Sequence, residues 1–281
     1  MYDSHTHLNA PQLFWDYKKY IENFKNAWWK KLVNVWVDFS RTERALEIER
    51  NFPDVCLSTW WFHPTEPIFK YKDWKYEFSE GKLVSWEKYL ELAKNYLEKL
   101  ILDKKIVAIG ECGIDYHYFE NLNKWQTKQE VIEQQNSLFL MQLDLAKKYN
   151  LPIVIHSRDA FYETCELLEN YKDLKIYFHC WGYGPEEVKY AQKNYKNLWI
   201  GYDGNITYKK ADDLRESIKV TDLDKILLET DAPYLTPQIT RKEMNQPANV
   251  RYIYDYVAEL LKLSRKELNF TIKTNFDNFY S

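Results

Sequence analysis

Asn150-Leu151-Pro152-Ile153-Val154-Ile155-His156 is the stretch on which the fold turns. It follows a long amphipathic run, Gln126–Tyr149, in which Val131, Leu138, Met141, Leu145 and Tyr149 recur on one helical face. Asn150 and the Leu-Pro pair stop that helix, because the residue before a proline is driven out of helical backbone. The apolar residues that follow suit a strand buried on both faces, as a parallel sheet requires. An ionisable residue, His156, ends it.

The same unit recurs along the chain. Candidate strands are Tyr2–His7, Leu32–Asp38, Val55–Phe62, Ile106–Gly110, Leu151–His156, Lys175–His179, Leu198–Gly201 and Lys225–Leu228. Helical patterns lie between and after them at Thr42–Asn51, Trp86–Leu102, Asp159–Tyr171, Pro185–Asn194, Lys209–Ile218, Ala248–Leu263 and Arg265–Tyr280. This alternation predicts an α/β protein, a (β/α)8 TIM barrel of parallel strands with its site at the C-terminal rim. An open doubly wound sheet would need a glycine-rich turn after the first strand, and there is none. Residues 1–281 read as one barrel domain with an insertion around 66–100. Within it Lys70–Gly81 is a charged, aromatic excursion, either a lid or a solvated surface insertion.

Composition narrows the class. With 45% hydrophobic and 17% aromatic residues, and only 7 glycines and 9 prolines, the chain is neither disordered nor loop-dominated. A net charge of -3 argues against wholesale electrostatic binding of nucleic acid, while leaving room for a local basic patch. No basic, apolar leader follows Met1 and no apolar run of about 18 residues occurs, so a cytoplasmic protein with no membrane segment is expected. The four cysteines form no CxxC pair and read as buried free thiols.

The placement of the six histidines is the strongest chemical signal, although His117, which follows Asp115-Tyr116, reads as an ordinary exposed loop residue. His5 and His7 flank Thr6 near the end of the first strand, and residues i and i+2 of a strand share a face. Glu111, His156 and His179 end their strands, and Asp231 closely follows the last one. In a barrel these ends meet on one rim. Nitrogen donors around a bridging carboxylate suit two divalent transition-metal ions at roughly 3.5–4 Å separation.

The motifs resemble, in order and over nearly the whole chain, those of the TatD-type DNases among the amidohydrolase-like metal-dependent hydrolases. They are Asp3-Ser4-His5-Thr6-His7-Leu8, His63-Pro64, Ala108-Ile109-Gly110-Glu111-Cys112-Gly113-Ile114-Asp115-Tyr116, Pro152–Ala160, Phe178-His179-Cys180 and Glu229–Leu235. Arg241, Asn245, Pro247, Asn275 and Phe276 continue the pattern. The resemblance implies that His5 and His7 hold one ion and His156 and His179 a second, with Glu111 bridging. It implies that Asp231 binds metal and takes the proton of the attacking water, and that His63 and Arg158 contact the scissile phosphate or order the site. Glu229 is either a partner that orients a ligand or part of a salt bridge. The implied cofactors are two divalent ions (Zn, Mg, Mn or similar), and the implied substrate is single-stranded or end DNA, with no obligatory protein partner.

The chemistry is coherent on its own terms. A bound ion lowers the pKa of water from about 15.7 toward about 7, and phosphodiester cleavage needs positive charge against the developing oxyanion. Three departures, Trp181-Gly182-Tyr183-Gly184 after Cys180, Arg241-Lys242 near the end and the long Pro64–Lys105 segment, fall where substrate would enter. Trp181 and Tyr183 are the base-stacking candidates there, whereas Trp60, Trp61, Phe62, Tyr116 and Tyr234 read as packing. Two other functions fit the same motifs. One is a metal-dependent amide or ester hydrolase such as an aminoacyl-tRNA deacylase, which ester and amide substrates would reveal. Glu111 stands where the amidohydrolase plan uses a carbamylated lysine, which favours the DNase type. The other is a non-catalytic binding protein, against which the intact set of six donors speaks.

Overall fold

The computed structural model describes residues 1–27, 30–35, 42–69, 85–103, 106–122, 124 and 126–281. Eight parallel strands, β1 (Tyr2–Thr6), β2 (Lys31–Val35), β3 (Cys56–Trp60), β4 (Ala108–Asp115), β5 (Ile153–Arg158), β6 (Ile176–Phe178), β7 (Leu198–Tyr202) and β8 (Ile226–Leu228), pair in sequence order. They form the nearly closed barrel of a (β/α)8 fold. β1, β4 and β7 are buried at every residue, which is why the strands read as continuous apolar runs.

The described helices are α1 (Pro11–Phe14), α2 (Tyr17–Asn26), α3 (Thr42–Asn51), α4 (Glu66–Phe69), α5 (Trp86–Leu102), α6 (Lys128–Tyr149), α7 (Phe161–Leu167), α8 (Pro185–Asn194), α9 (Asp212–Val220), α10 (Val250–Leu260) and α11 (Arg265–Tyr280). Local chemistry sets the ends of several. Thr127 and Glu130 form a reciprocal capping box at the start of α6, and Ser264 and Glu267 do the same for α11. Asn150 takes left-handed backbone (φ 52°) to end α6. Pro185 opens α8 with Glu186 and Glu187 in its first turn, where the helix dipole favours negative charge.

Besides the single-turn helices α1 and α4, which were not expected, two longer elements depart from the sequence reading. α2 was not expected, although Tyr17, Ile21 and Phe24 form its buried stripe; Asp16 makes no side-chain cap to announce it. β4 continues five residues past the expected Gly110, for reasons given with the site. The far end of the second expected strand and the Lys70–Gly81 excursion lie outside the described residues, as does most of the segment joining α4 to α5.

β8 and β1 are the first and last strands of the sheet order, and they meet at the rim. Asp231 N–H donates to His5 O (2.9 Å) and His7 N–H to Ala232 O (2.7 Å). The buried Asp3 carboxylate accepts from Thr230 N–H (2.9 Å) and Thr230 Oγ1 (2.6 Å) across the same seam. On the outside, α11 is docked by Asn275, whose buried amide donates to Leu223 O (2.9 Å) and Ile226 O (2.8 Å). Asn275→Leu should leave both carbonyls unpaired and lower the unfolding free energy by about 3 kcal/mol. Urea denaturation of the variant measures this, and a loss below about 0.5 kcal/mol would deny the dock its role.

Candidate metal centre

The rim gathers the expected residues. His5 lies in β1 with His7 just beyond it, Glu111 in β4, His156 in β5, His179 directly after β6 and Asp231 in the turn after β8. Four donor atoms meet at the β1–β8 seam. His5 Nε2 stands 3.2 Å from His7 Nε2, 3.3 Å from Glu111 Oε2 and 3.7 Å from Asp231 Oδ1. His7 Nε2 stands 3.8 Å from Glu111 Oε2 and 3.1 Å from Asp231 Oδ1. Donors about 2.05 Å from a tetrahedral zinc-sized ion are separated by about 3.4 Å. The five distances straddle that spacing, so the donor set fits a small divalent cation. His7 Nδ1–H donates to Val35 O (2.9 Å), which leaves the Nε2 lone pair aimed at the cluster.

The other carboxylate oxygen of Glu111 faces a second group. Oε1 lies 2.7 Å from His156 Nδ1, 2.7 Å from His179 Nε2 and 3.5 Å from His63 Nε2, and the first two nitrogens are 3.3 Å apart. His5, His7 and Glu111, then His5, His179 and Asp231, and then His63, Glu111 and His156 are three groups able to hold a metal ion.

Electrostatics follow from burial and from these contacts. Burial and the adjacent His179 push His5 down to about 3. Burial likewise takes His63 down to about 4, against the pull of Glu111. Burial opposes charge on His156 too, yet hydrogen bonds to Asp115 and Glu111 hold it up at about 9. His7 is raised against burial by Asp231. Glu111, although buried, is held well below the usual carboxylate range by His179 and His156. The centre thus presents neutral imidazoles at His5 and His63 and an ionised Glu111, whereas the carboxylates beside His7 and His156 favour the protonated imidazoles, whose protons a bound cation would displace.

Glu111 reaches this position through a bulge. The β4–β5 register shifts between Ile109 and Cys112, and Gly110 (φ 138°) and Gly113 (φ 147°) flank the glutamate. A Cβ at Gly110 would stand 2.3 Å from Val154 O, and one at Gly113 2.0 Å from His156 O. Only glycine permits both the backbone and the contact, and the resulting twist re-aims the carboxylate while the strand continues. The reading of Gly110 as a strand end is corrected on this account.

The remaining expectations divide. His63 stands beside Glu111 and His156, its Nδ1 hydrogen-bonded to Thr65 Oγ1 (2.6 Å). Arg158 is exposed at the mouth of a cavity of about 660 Å³, its guanidinium over the Tyr118 ring at 5.6 Å. Glu229 forms no bridge to Lys or Arg among the described residues. It accepts from Cys180 N–H (2.5 Å) and from the Tyr177 hydroxyl, 3.9 Å from His179 Nδ1. Trp181 is 1% exposed and packs in the core against Phe161 and Phe178, so it offers no stacking face; Tyr183 does line the cavity. Cys180 is only half-buried and lines the cavity, unlike the other three thiols. His117 is an exposed loop residue paired with Asp159 (3.4 Å).

Asp115 was not singled out from the sequence. Its Oδ2 lies 3.0 Å from His156 Nε2, and the carboxylate is 1% exposed. The signal was strand parity: positions 111, 113 and 115 of one strand share a face once the strand is known to continue.

Comparison with known proteins agrees with this geometry. The family model for TatD-related DNases matches residues 2–281. The chain belongs to that family. It is 30% identical over 270 residues, 95% of this chain and 94% of the relative, to a Bacillus subtilis protein named an uncharacterized metal-dependent hydrolase, YabD. It is also 30% identical over 198 residues, 69% of this chain but 25% of the relative, to the human 3'-5' RNA nuclease TATDN2. The crystal structure of YJJV, a TatD homologue of Escherichia coli, shares the fold with a TM-score of 0.79 at 23% identity, covering 100% of this chain and 97% of its own. This TatD-family protein is thus a metal-dependent hydrolase. Because its Glu111 depends on the glycine-built bulge, Gly113→Ala should destabilise it by about 3 kcal/mol or more. Chemical denaturation of the purified variant checks this; a wild-type midpoint would show that the bulge tolerates a side chain.

Proposed function

We propose that this protein is a two-metal nuclease that removes nucleotides from the 3' end of a nucleic-acid strand, DNA foremost. The observation that carries the reading is the Glu111 carboxylate, whose two oxygens face two different histidine groups. His5, His7, Glu111 and Asp231 would hold one ion, and His156, His179 and Glu111 the other. Imidazole-rich donors favour zinc and its first-row neighbours over calcium. Bound there, the ions supply an activated water and positive charge beside the phosphoryl oxygens.

The chain's own groups do the rest. Asp231 takes the proton of the attacking water, its backbone fixed by the seam hydrogen bond to His5 O. His63 and Arg158 face the cavity and offer donors to the phosphate, as the cleaved linkage requires. Buried walls around the donors limit water other than the nucleophile. That a human relative is named an RNA nuclease supports phosphodiester chemistry and makes RNA the second reading.

End-labelled single-stranded DNA and RNA of one sequence, offered in parallel, test this. Stepwise shortening from the 3' end is expected, abolished by chelation and restored by zinc or manganese. Asp231→Asn should lower the rate by about 10²- to 10⁴-fold with metal still bound. Faster cleavage of RNA would select the second reading. Metal-replete protein that leaves both polymers intact would refute nuclease action and direct attention to aminoacyl esters and amides.

A further inference from the structure

Two glutamines lie in the apolar stripe of α6. Gln135 and Gln142 are fully buried among Val131, Leu138 and Leu145, seven residues and about two helical turns apart. A primary amide in such a stripe is unfavourable unless its oxygen and its nitrogen both find partners. Each glutamine sets both groups against one backbone residue, and Gln142 Nε2 also donates to Leu138 O (3.2 Å). Asp115 N–H donates to Gln135 Oε1 (3.0 Å), and Gln135 Nε2 donates to Asp115 O (2.9 Å). Phe62 N–H donates to Gln142 Oε1 (2.8 Å), and Gln142 Nε2 donates to Phe62 O (3.1 Å).

The clamped residues stand where the sheet ladder gives out. β3 pairs with β4 only at Thr59–Ala108 and Trp60–Ile109, so Phe62 and the β3-facing edge of Asp115 lie beyond the paired register. The glutamine amides supply a donor and an acceptor in place of a neighbouring strand. Both clamps also lead to one ligand. The Asp115 carboxylate binds His156 Nε2 (3.0 Å), and its other oxygen accepts from His117 N–H (2.9 Å). Phe62 precedes His63, whose ring packs edge-on against His156 with centroids 4.6 Å apart. His156 is thereby bracketed by two groups that α6 holds in register.

We propose that Gln135 and Gln142 are positioning residues of the metal centre, which fix Asp115 and His63 against His156 and so set the affinity of the ion His156 holds. The inference rests on the two-metal reading. Its physical basis is that a ligating histidine is oriented by the partner on its other nitrogen, and that such partners are worth about 10- to 100-fold in metal affinity. An amide that fixes the partner's backbone acts one step further out on the same ligand. α6 suits the task because it is capped at both ends and long, hence a rigid reference.

Cobalt(II) titration of chelator-stripped protein, followed by visible absorption, tests the proposal, with thermal unfolding measured in parallel. Gln135→Met should weaken one of two cobalt equivalents by about 10-fold and leave the other unchanged. In an Asp115→Ala background, which removes the acceptor for His156 Nε2, the same substitution should add no further loss, because the pathway is already cut. Gln142→Met should still add its own loss in that background, since it acts through His63. Gln135→Glu keeps the acceptor for Asp115 N–H and should show a smaller loss at the same site; it serves if Gln135→Met does not fold. Unchanged cobalt affinities in the glutamine variants, with only the unfolding temperature lowered, would make the residues purely structural and overturn the proposal. So would an undiminished effect of Gln135→Met in the Asp115→Ala background. Wild-type protein that takes up no cobalt would instead defeat the metal reading itself, before any variant is compared.

Discussion

The hydrogen bonds that join β1 to the segment after β8 are the constraint on which the centre depends. His7 and Asp231 are 224 positions apart in the chain, yet their side chains must meet at 3.1 Å. Asp231 N–H to His5 O and His7 N–H to Ala232 O bring them there, so the backbones that close the barrel are those of the donor residues themselves. Elsewhere along β1, side chains replace the missing ladder. Tyr254 in α10 accepts from Tyr2 N–H (3.2 Å) and donates to Tyr2 O (3.1 Å), and Tyr280 in α11 donates to Ser4 O (2.9 Å). An unpaired strand edge buried beneath helices would be costly. These hydroxyls remove the cost and tie the two closing helices to the strand that carries His5.

Charge balance is the second constraint. Among the described contacts Glu111 is the only carboxylate whose two oxygens both meet imidazole rings, and those rings keep it ionised despite burial. Behind it lie carboxyls of another kind. Asp3 and Asp203 are pushed up to about 7 by burial, and Glu229 is pushed well above its ordinary range. Their donors are hydroxyls and backbone amides rather than cations: Thr230 for Asp3, Asn205 N–H (2.7 Å) for Asp203, and Tyr177 and Cys180 N–H for Glu229. Glu111 is thus held as an anion, while the carboxyls behind it are held by neutral donors. Gly201 makes room for one of these layers, since a Cβ there would stand 2.6 Å from the Tyr177 hydroxyl and 2.9 Å from Glu229.

The sequence announces what depends on local pattern. Helices α3, α5, α8 and α11 match their expected limits, and the strands match within a few residues, because capping residues and doubly buried strands leave a continuous signature. All six expected donors converge for the same reason: each stands at or near the end of an apolar run. What stayed hidden depends on partners distant in sequence. The extension of β4 hinges on Gly113 approaching His156 O, a contact with no trace in local periodicity. Asp115 matters only through His156, and Gln135 and Gln142 look like polar interruptions of a helix stripe until the backbones they bridge are seen. Trp181 misled in the opposite direction, since an aromatic beside a ligand turned out to pack inward.

The two halves of the cavity are built differently, and this bears on how one barrel serves different substrates. The donor half is carried by strands and by turns whose backbones are hydrogen-bonded across the sheet. The substrate half is carried by the tip of β5 at Arg158 and by rim loops. Arg158 lies against Tyr118, a residue of the 3-10 turn His117–Asn121, and Tyr116 N–H donates to Arg158 O (3.0 Å), so these loops are coupled to each other. Across the cavity, Tyr234 is 46% exposed and meets His7 edge-on with centroids 5.9 Å apart. Exposed aromatic and cationic groups therefore flank the donors on opposite sides, and Tyr234 N–H donates to Asp231 O (2.8 Å). Substitution of Tyr118 or Tyr234 can change what the cavity accepts while the Glu111 bridge keeps its geometry, because the bulge and seam that hold the bridge lie in the sheet.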